Sequence, residues 1–186
     1  MTCFVAVVAA VGCRIGEALA LDVTDFDPTV GTLTITKTYS RHYGIGPPKS
    51  KYSTRTIRVP PAALPAILAA IRKRTAGLLF PSARGYRRDE MSPREAWVKV
   101  LARVGLSYRN LHQLRHSVAT ALISAGVPLG DVAACLGDTV QTVVSTYLHP
   151  AGTDPSLAME RLLGGRKVGT ETRTATKTLK SRAISA

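Results

Sequence analysis

The chain has 186 residues, 45% of them apolar, with 25 Lys and Arg against 12 Asp and Glu for a formal charge of +13. That length supports one real hydrophobic core, the apolar fraction excludes a disordered or collagen-like polymer, and the charge asks for a polyanionic partner. The longest apolar run, Cys3 to Cys13, falls short of the roughly 20 residues of a membrane span and has no basic flank, so a cytoplasmic protein with no membrane partner is expected.

The segment Thr2 to Val11 is apolar on every face and predicts a buried helix that Gly12 ends; Arg14 to Leu21 predicts a second, short one. Asp22, Thr24 and Asp25 then favour caps and turns. Alternation over Thr32 to Thr36 and again over Thr54 to Val59 predicts two half-buried strands of a small antiparallel sheet. Between them, Arg41 to Lys51 carries Gly44, Gly46, Pro47 and Pro48 and reads as a long basic hairpin loop.

From Pro60 the pattern is helical. Leu64, Ile67, Leu68 and Ile71 fall at three- and four-residue steps, with Gly77 as the stop. Ser92-Pro93 opens a helix reaching Val104, Asn110 caps one running to Ala125, Pro128 starts one that Gly137 ends, and Thr139 to Leu148 forms another. Pro155 to Leu163 predicts a last short helix, and residues 165–186, with six basic residues against one acidic, a disordered basic tail. The three cysteines, Cys3, Cys13 and Cys135, form no CxxC pair and sit among apolar neighbours, as reduced thiols used as small hydrophobes do.

Several positions carry chemistry. His112 and Arg115, three apart, share one helix face, with His116 on the edge of the next turn. His112 and His116 also have the spacing of a zinc pair, but the metalloprotease pattern needs Glu where Gln113 stands. Arg115, among Leu111, Leu114 and Val118, is drawn toward the core and needs an anion; the plain reading is a structural ion pair. Arg14 leaves an apolar helix with Glu17 three residues on, again a possible pair. Two such arginines and a loop lysine, Lys49 or Lys51, make a set that holds a phosphodiester. With no GK[ST] phosphate loop, that phosphate belongs to a polymer. Tyr147 ends its helix, where a tyrosine is more often packing than nucleophile.

In order along the chain, Gly-Cys-Arg-Ile-Gly-Glu-Ala-Leu around Arg14, Pro-Lys-Ser-Lys-Tyr-Ser-Thr-Arg-Thr-Ile in the hairpin, Leu-His-Gln-Leu-Arg-His-Ser-Val-Ala-Thr around Arg115, the Leu-Gly-x turn and Tyr147 resemble the tyrosine recombinase, or phage integrase, family over about residues 1–150. The resemblance implies an α+β fold, mostly α-helical with a small antiparallel β-sheet. It implies a catalytic domain over 1–164, short at its front and without the family's N-terminal core-binding domain, then the tail 165–186.

The resemblance further implies site-specific DNA recombination through a 3′-phosphotyrosyl intermediate, for integration or excision of mobile DNA in a bacterial or phage setting. Tyr147 is then the nucleophile, Arg14 and Arg115 hold the phosphate, Lys49 (or Lys51) protonates the leaving oxygen, and His112 assists acid and base steps. Lys51, Arg55, His116 and Arg41 are expected to contact DNA. The implied partner is double-stranded DNA, bound as a tetramer on paired sites, with no metal and no small-molecule cofactor. Asp138 stands where the family usually has His or Trp; a carboxylate repels a phosphate oxygen, so it should turn away or be neutralised by an arginine. Two other readings stay open: a truncated remnant that only binds DNA, and a type IB topoisomerase.

Overall fold

In the computed structural model, residues 2–48 and 50–148 are described. Helix α1 (Thr2–Val11) is apolar all round because its neighbours cover it: Phe4, Val5, Val7, Val8 and Val11 are buried. It packs against α3 (Leu64–Ile71), α4 (Met91–Arg103) and α5 (Gln113–Ser124). Gly12, at φ +64, turns the chain into α2 (Ile15–Ala20). Gly16 lets α2 lie on strand β3 (Thr38–Ser40), since a Cβ there would stand 2.7 Å from the Tyr39 carbonyl oxygen.

The main sheet is antiparallel, in the order β1 (Phe26–Asp27), β2 (Thr32–Ile35), β5 (Arg55–Arg58). Its register pairs Leu33 with Ile57 and Ile35 with Arg55. Period-two alternation sends Leu33, Ile35 and Ile57 into the core while the Thr34 and Thr56 hydroxyls meet outside at 3.1 Å. The segment expected to be all loop instead forms a second hairpin, β3 with β4 (Gly44–Gly46). Two of the three β4 residues are glycines, which pair through the backbone and offer no side-chain alternation to read.

Two helix boundaries differ from expectation for a visible reason. Helix α3 ends at Ile71 rather than near Gly77, with Arg72 and Lys73 at φ +48 and +64. There Arg74 folds back, donating to the Ala70 carbonyl at 2.6 Å and the Ile71 carbonyl at 3.0 Å, and so satisfies the groups another turn would have used. At the front of α4 it is Asp89 Oδ1 that accepts the Ser92 amide, at 3.0 Å, so Ser92 lies inside the helix rather than capping it.

The last described helices, α5, α6 (Leu129–Leu136) and α7 (Val140–Tyr147), enclose a second small core of Ala119, Val132, Ala133, Leu136 and Val143. Thr139 caps α7, its Oγ1 accepting the Thr142 amide at 3.1 Å. The result is the expected α+β fold, helix-rich with small antiparallel sheets. Cys13 is buried, and burial first, then the Glu17 charge, pushes its thiol up to about 12, which suits an inert core residue. No described helix is long and apolar enough to cross a membrane. The expected helix Pro155 to Leu163 and the tail 165–186 lie outside the described residues.

Candidate active site

Arg14 sits in extended backbone at the front of α2, where its own amide donates to Glu17 Oε2 at 2.8 Å. Glu17 is 2% exposed and takes three further hydrogen bonds: Arg14 Nη1 at 2.9 Å, Arg55 Nη1 at 3.2 Å and Arg55 Nη2 at 2.9 Å. Burial alone would push the Glu17 carboxyl up, but the Arg55 hydrogen bond and charge, then Arg14, outweigh it and hold the group below the ordinary carboxylate value. Arg55 also donates to the Cys135 carbonyl and the Ser53 carbonyl, each at 2.8 Å.

Arg55, expected from the sequence to contact DNA, faces inward in β5 beside Ile57, and its guanidinium bonds Glu17 and two carbonyls, so it braces the interior.

Arg115, 2% exposed on the inner face of α5, donates from Nη1 to the Gly12 carbonyl at 2.9 Å and the Leu136 carbonyl at 2.8 Å. Its Nη2 reaches Asp138 Oδ2 at 2.5 Å, and the other carboxylate oxygen of Asp138 accepts from Arg14 Nη2. Asp138 thus joins the two arginines directly. The Gly137 carbonyl beside it accepts from Arg14 and, at 3.3 Å, from the buried Ser53 hydroxyl. Gly137 is at φ +68, and a Cβ on it would come within 2.5 Å of Arg55 Nη1, so only glycine fits between this turn and the arginine. Three guanidinium groups face two carboxylates here, leaving one positive charge over.

Beside this cluster three rings line up. His112 meets His116 edge-on with centroids 5.1 Å apart, and His116 meets Tyr147, at the end of α7, also at 5.1 Å and tilted 60°. His112 is exposed to solvent, yet its neighbours cover enough of the ring for burial to lower its pKa, with the charges of His116, Arg115 and Arg14 adding to the effect. That shift favours the neutral imidazole, the form able to accept a proton.

The structure thus brings together Arg14, Arg115 and Asp138 by direct bonds, and His112, His116 and Tyr147 by ring contacts. Arg41 lies exposed in the β3–β4 turn. Lys49 lies outside the described residues, and Lys51 is placed only as the first residue of a 3-10 turn, Lys51–Ser53. Sequence reasoning missed Ser53 and the bracing role of Arg55. The signal for Arg55 was present, because the alternation that buries Ile57 and Val59 puts residue 55 on the same side.

A sequence profile of the phage integrase family matches residues 1–153. The chain belongs to the phage integrase family. Among curated integrase-family relatives, the tyrosine recombinase XerC-like protein of Caldanaerobacter subterraneus subsp. tengcongensis is 30% identical over 132 residues, covering 62% of this chain and 34% of the relative. The tyrosine recombinase XerC of Pelotomaculum thermopropionicum is 30% identical over 144 residues, covering 76% of this chain and 46% of the relative. The chain thus spans about a third to a half of these relatives' lengths. Among solved structures, this integrase fold is similar to the Tn1549 transposon integrase in complex with circular intermediate DNA, at a TM-score of 0.71 and 19% identity over 86% of this chain and 59% of that one. It is also similar to the XerA recombinase, at a TM-score of 0.65 and 22% identity over 88% of this chain and 56% of that one.

Proposed function

We propose that this chain carries out the strand cleavage and rejoining of a site-specific DNA recombinase, with Tyr147 as nucleophile. The observation that carries the reading is the seat of Asp138: Arg14 and Arg115 aim donors at the two oxygens of one small anion, the arrangement that two non-bridging oxygens of a phosphodiester require. The ring column ending in Tyr147 stands beside it.

In this reading the scissile phosphate displaces Asp138 from the arginines. Tyr147 Oη attacks phosphorus, the bond to O5′ breaks, and a 3′-phosphotyrosyl link forms. The phenol proton leaves through water to His112, which assists the acid and base steps, and Lys49 delivers a proton to the departing O5′. A phenol is a weak nucleophile at neutral pH, and the cations around the site favour its developing anion. Attack by the 5′-hydroxyl of another strand reverses the steps and releases Tyr147. The partner is double-stranded DNA, and the working assembly a tetramer on paired sites, as integration or excision of mobile DNA needs. The catalytic domain runs over 1–164, followed by the basic tail 165–186.

The test is a nicked suicide substrate carrying a candidate attachment site, read for an SDS-resistant protein–DNA band with Tyr147→Phe alongside. A band lost in the variant supports cleavage through Tyr147. The second reading, a protein that binds DNA without cutting it, holds if Asp138 keeps its place on both arginines when DNA binds. No band, with salt-dependent binding kept and an active integrase cutting the same DNA, selects that reading. Relaxation of a supercoiled plasmid that lacks any attachment site would instead point to topoisomerase action.

A further inference from the structure

Helix α7 stops at Tyr147 itself, and the next residue, Leu148, is exposed and donates its amide to the Val144 carbonyl at 3.1 Å. One side of the Tyr147 ring leans on the small core of Ala119, Val132, Ala133, Leu136 and Val143. Among the described residues, the ring also meets the imidazole of His116, 5.1 Å away centroid to centroid. That separation lies inside the 4.5–7 Å range over which aromatic pairs hold a preferred mutual orientation.

His116 is itself held. It stands one turn after His112 on α5, ring to ring at 5.1 Å and 86°, and it directly follows Arg115, whose bonds to Gly12 and Leu136 pin that turn of the helix to two other parts of the chain. A line of ring contacts runs from His112 through the His116 imidazole to the phenol, on a helix turn that the Arg115 bonds pin.

From this line we infer that His116 is a positioning residue for Tyr147, setting the attack angle of the phenol by ring contact and serving neither as a DNA ligand nor as a proton carrier. The inference rests on the cleavage reading above. It replaces the DNA contact expected for His116 from sequence. In-line attack on phosphorus tolerates little error, and a misplacement of about 1 Å can cost on the order of 100-fold in rate.

The experiment compares wild type, His116→Ala and His116→Phe for the single-turnover rate of phosphotyrosyl formation at saturating nicked substrate, over a range of pH, with DNA affinity measured in parallel. His116→Ala should slow the step by roughly 10- to 100-fold at unchanged affinity. His116→Phe, which restores a ring without titratable nitrogens, should recover most of the rate with an unaltered pH profile. An alanine variant as fast as wild type overturns the inference, as does a phenylalanine variant as slow as alanine, which would assign His116 a proton. A loss confined to DNA affinity returns it to the DNA-contact role.

A second arm needs no activity: in the free, tyrosine-labelled protein, with the Tyr147 ring signal assigned by Tyr147→Phe, His116→Ala should shift that signal. An unmoved signal in a folded variant refutes the contact. If wild type itself forms no phosphotyrosyl band, the cleavage reading fails on its own, and the ring signal still decides whether His116 sets the Tyr147 ring.

Discussion

Replacing Glu17 by alanine removes the acceptor that holds Arg14 and Arg55 together, and its cost follows from what is left behind. The Arg55 guanidinium is 6% exposed and makes two of its bonds to Glu17; without that carboxylate the buried charge keeps only the Cys135 and Ser53 carbonyls. Breaking a buried pair by removing one partner costs about 3–5 kcal/mol, and for a chain of this size each kcal/mol lowers Tm by about 2–4 °C, so a fall of roughly 6–20 °C is expected. Urea unfolding followed by circular dichroism and by Trp97 fluorescence measures it. A companion variant sharpens the reasoning: Glu17→Leu with Arg55→Met, which removes both charges, should recover most of the loss, since well-packed apolar replacements of buried ion pairs are often neutral.

Acid offers an independent check. The folded Glu17 carboxyl lies below its ordinary value of 4.5, so its stabilisation is complete above that value and disappears as pH falls through the lower, folded one. The alanine variant should therefore lose less stability than wild type when acidified below about pH 4.5. A Glu17→Ala protein within 1 kcal/mol of wild type at pH 7 would refute the argument that this carboxylate anchors the interior.

Asp138→Asn should free the two guanidinium groups for an external anion, so added inorganic phosphate should raise its Tm more than it raises that of wild type; equal gains would show that the carboxylate does not occupy an anion seat. Gly137→Ala places a Cβ at φ +68, within 3.0 Å of the Ser53 Cα and 2.5 Å of Arg55 Nη1. A loss of about 2 kcal/mol or more is expected from the left-handed backbone and this crowding together, and chemical denaturation that finds the variant as stable as wild type would contradict the packing described.

The helices were legible where periodicity and breakers agree. Val7, Val8 and Val11 had to be covered, and Gly126 and Gly137 stop α5 and α6 close to where the sequence places them. Arg14, Arg115 and Tyr147 were legible as a set because their order along the chain resembles one family. What the sequence did not show is tertiary in origin. Whether Asp138 turns away or meets an arginine depends on two guanidinium groups arriving from positions 14 and 115. The β3–β4 hairpin left no trace because its glycines pair through the backbone alone. The bracing role of Arg55 went unremarked, although its register beside Ile57 places it inside.

The bonds that assemble the arginine site join residues remote in sequence: 103 positions from Arg115 to Gly12, 80 from Arg55 to Cys135 and 124 from Arg14 to Asp138. Contacts of such separation form only after the intervening chain has been ordered, which slows folding and ties local events to distant ones. The site cannot close until residue 138 is in place: before then Arg14 has Glu17 for a partner, while Arg115 lacks the carboxylate it bonds here. A polypeptide that stops before that point leaves Arg115, a side chain the fold buries, without its carboxylate and so without the means to complete the interior.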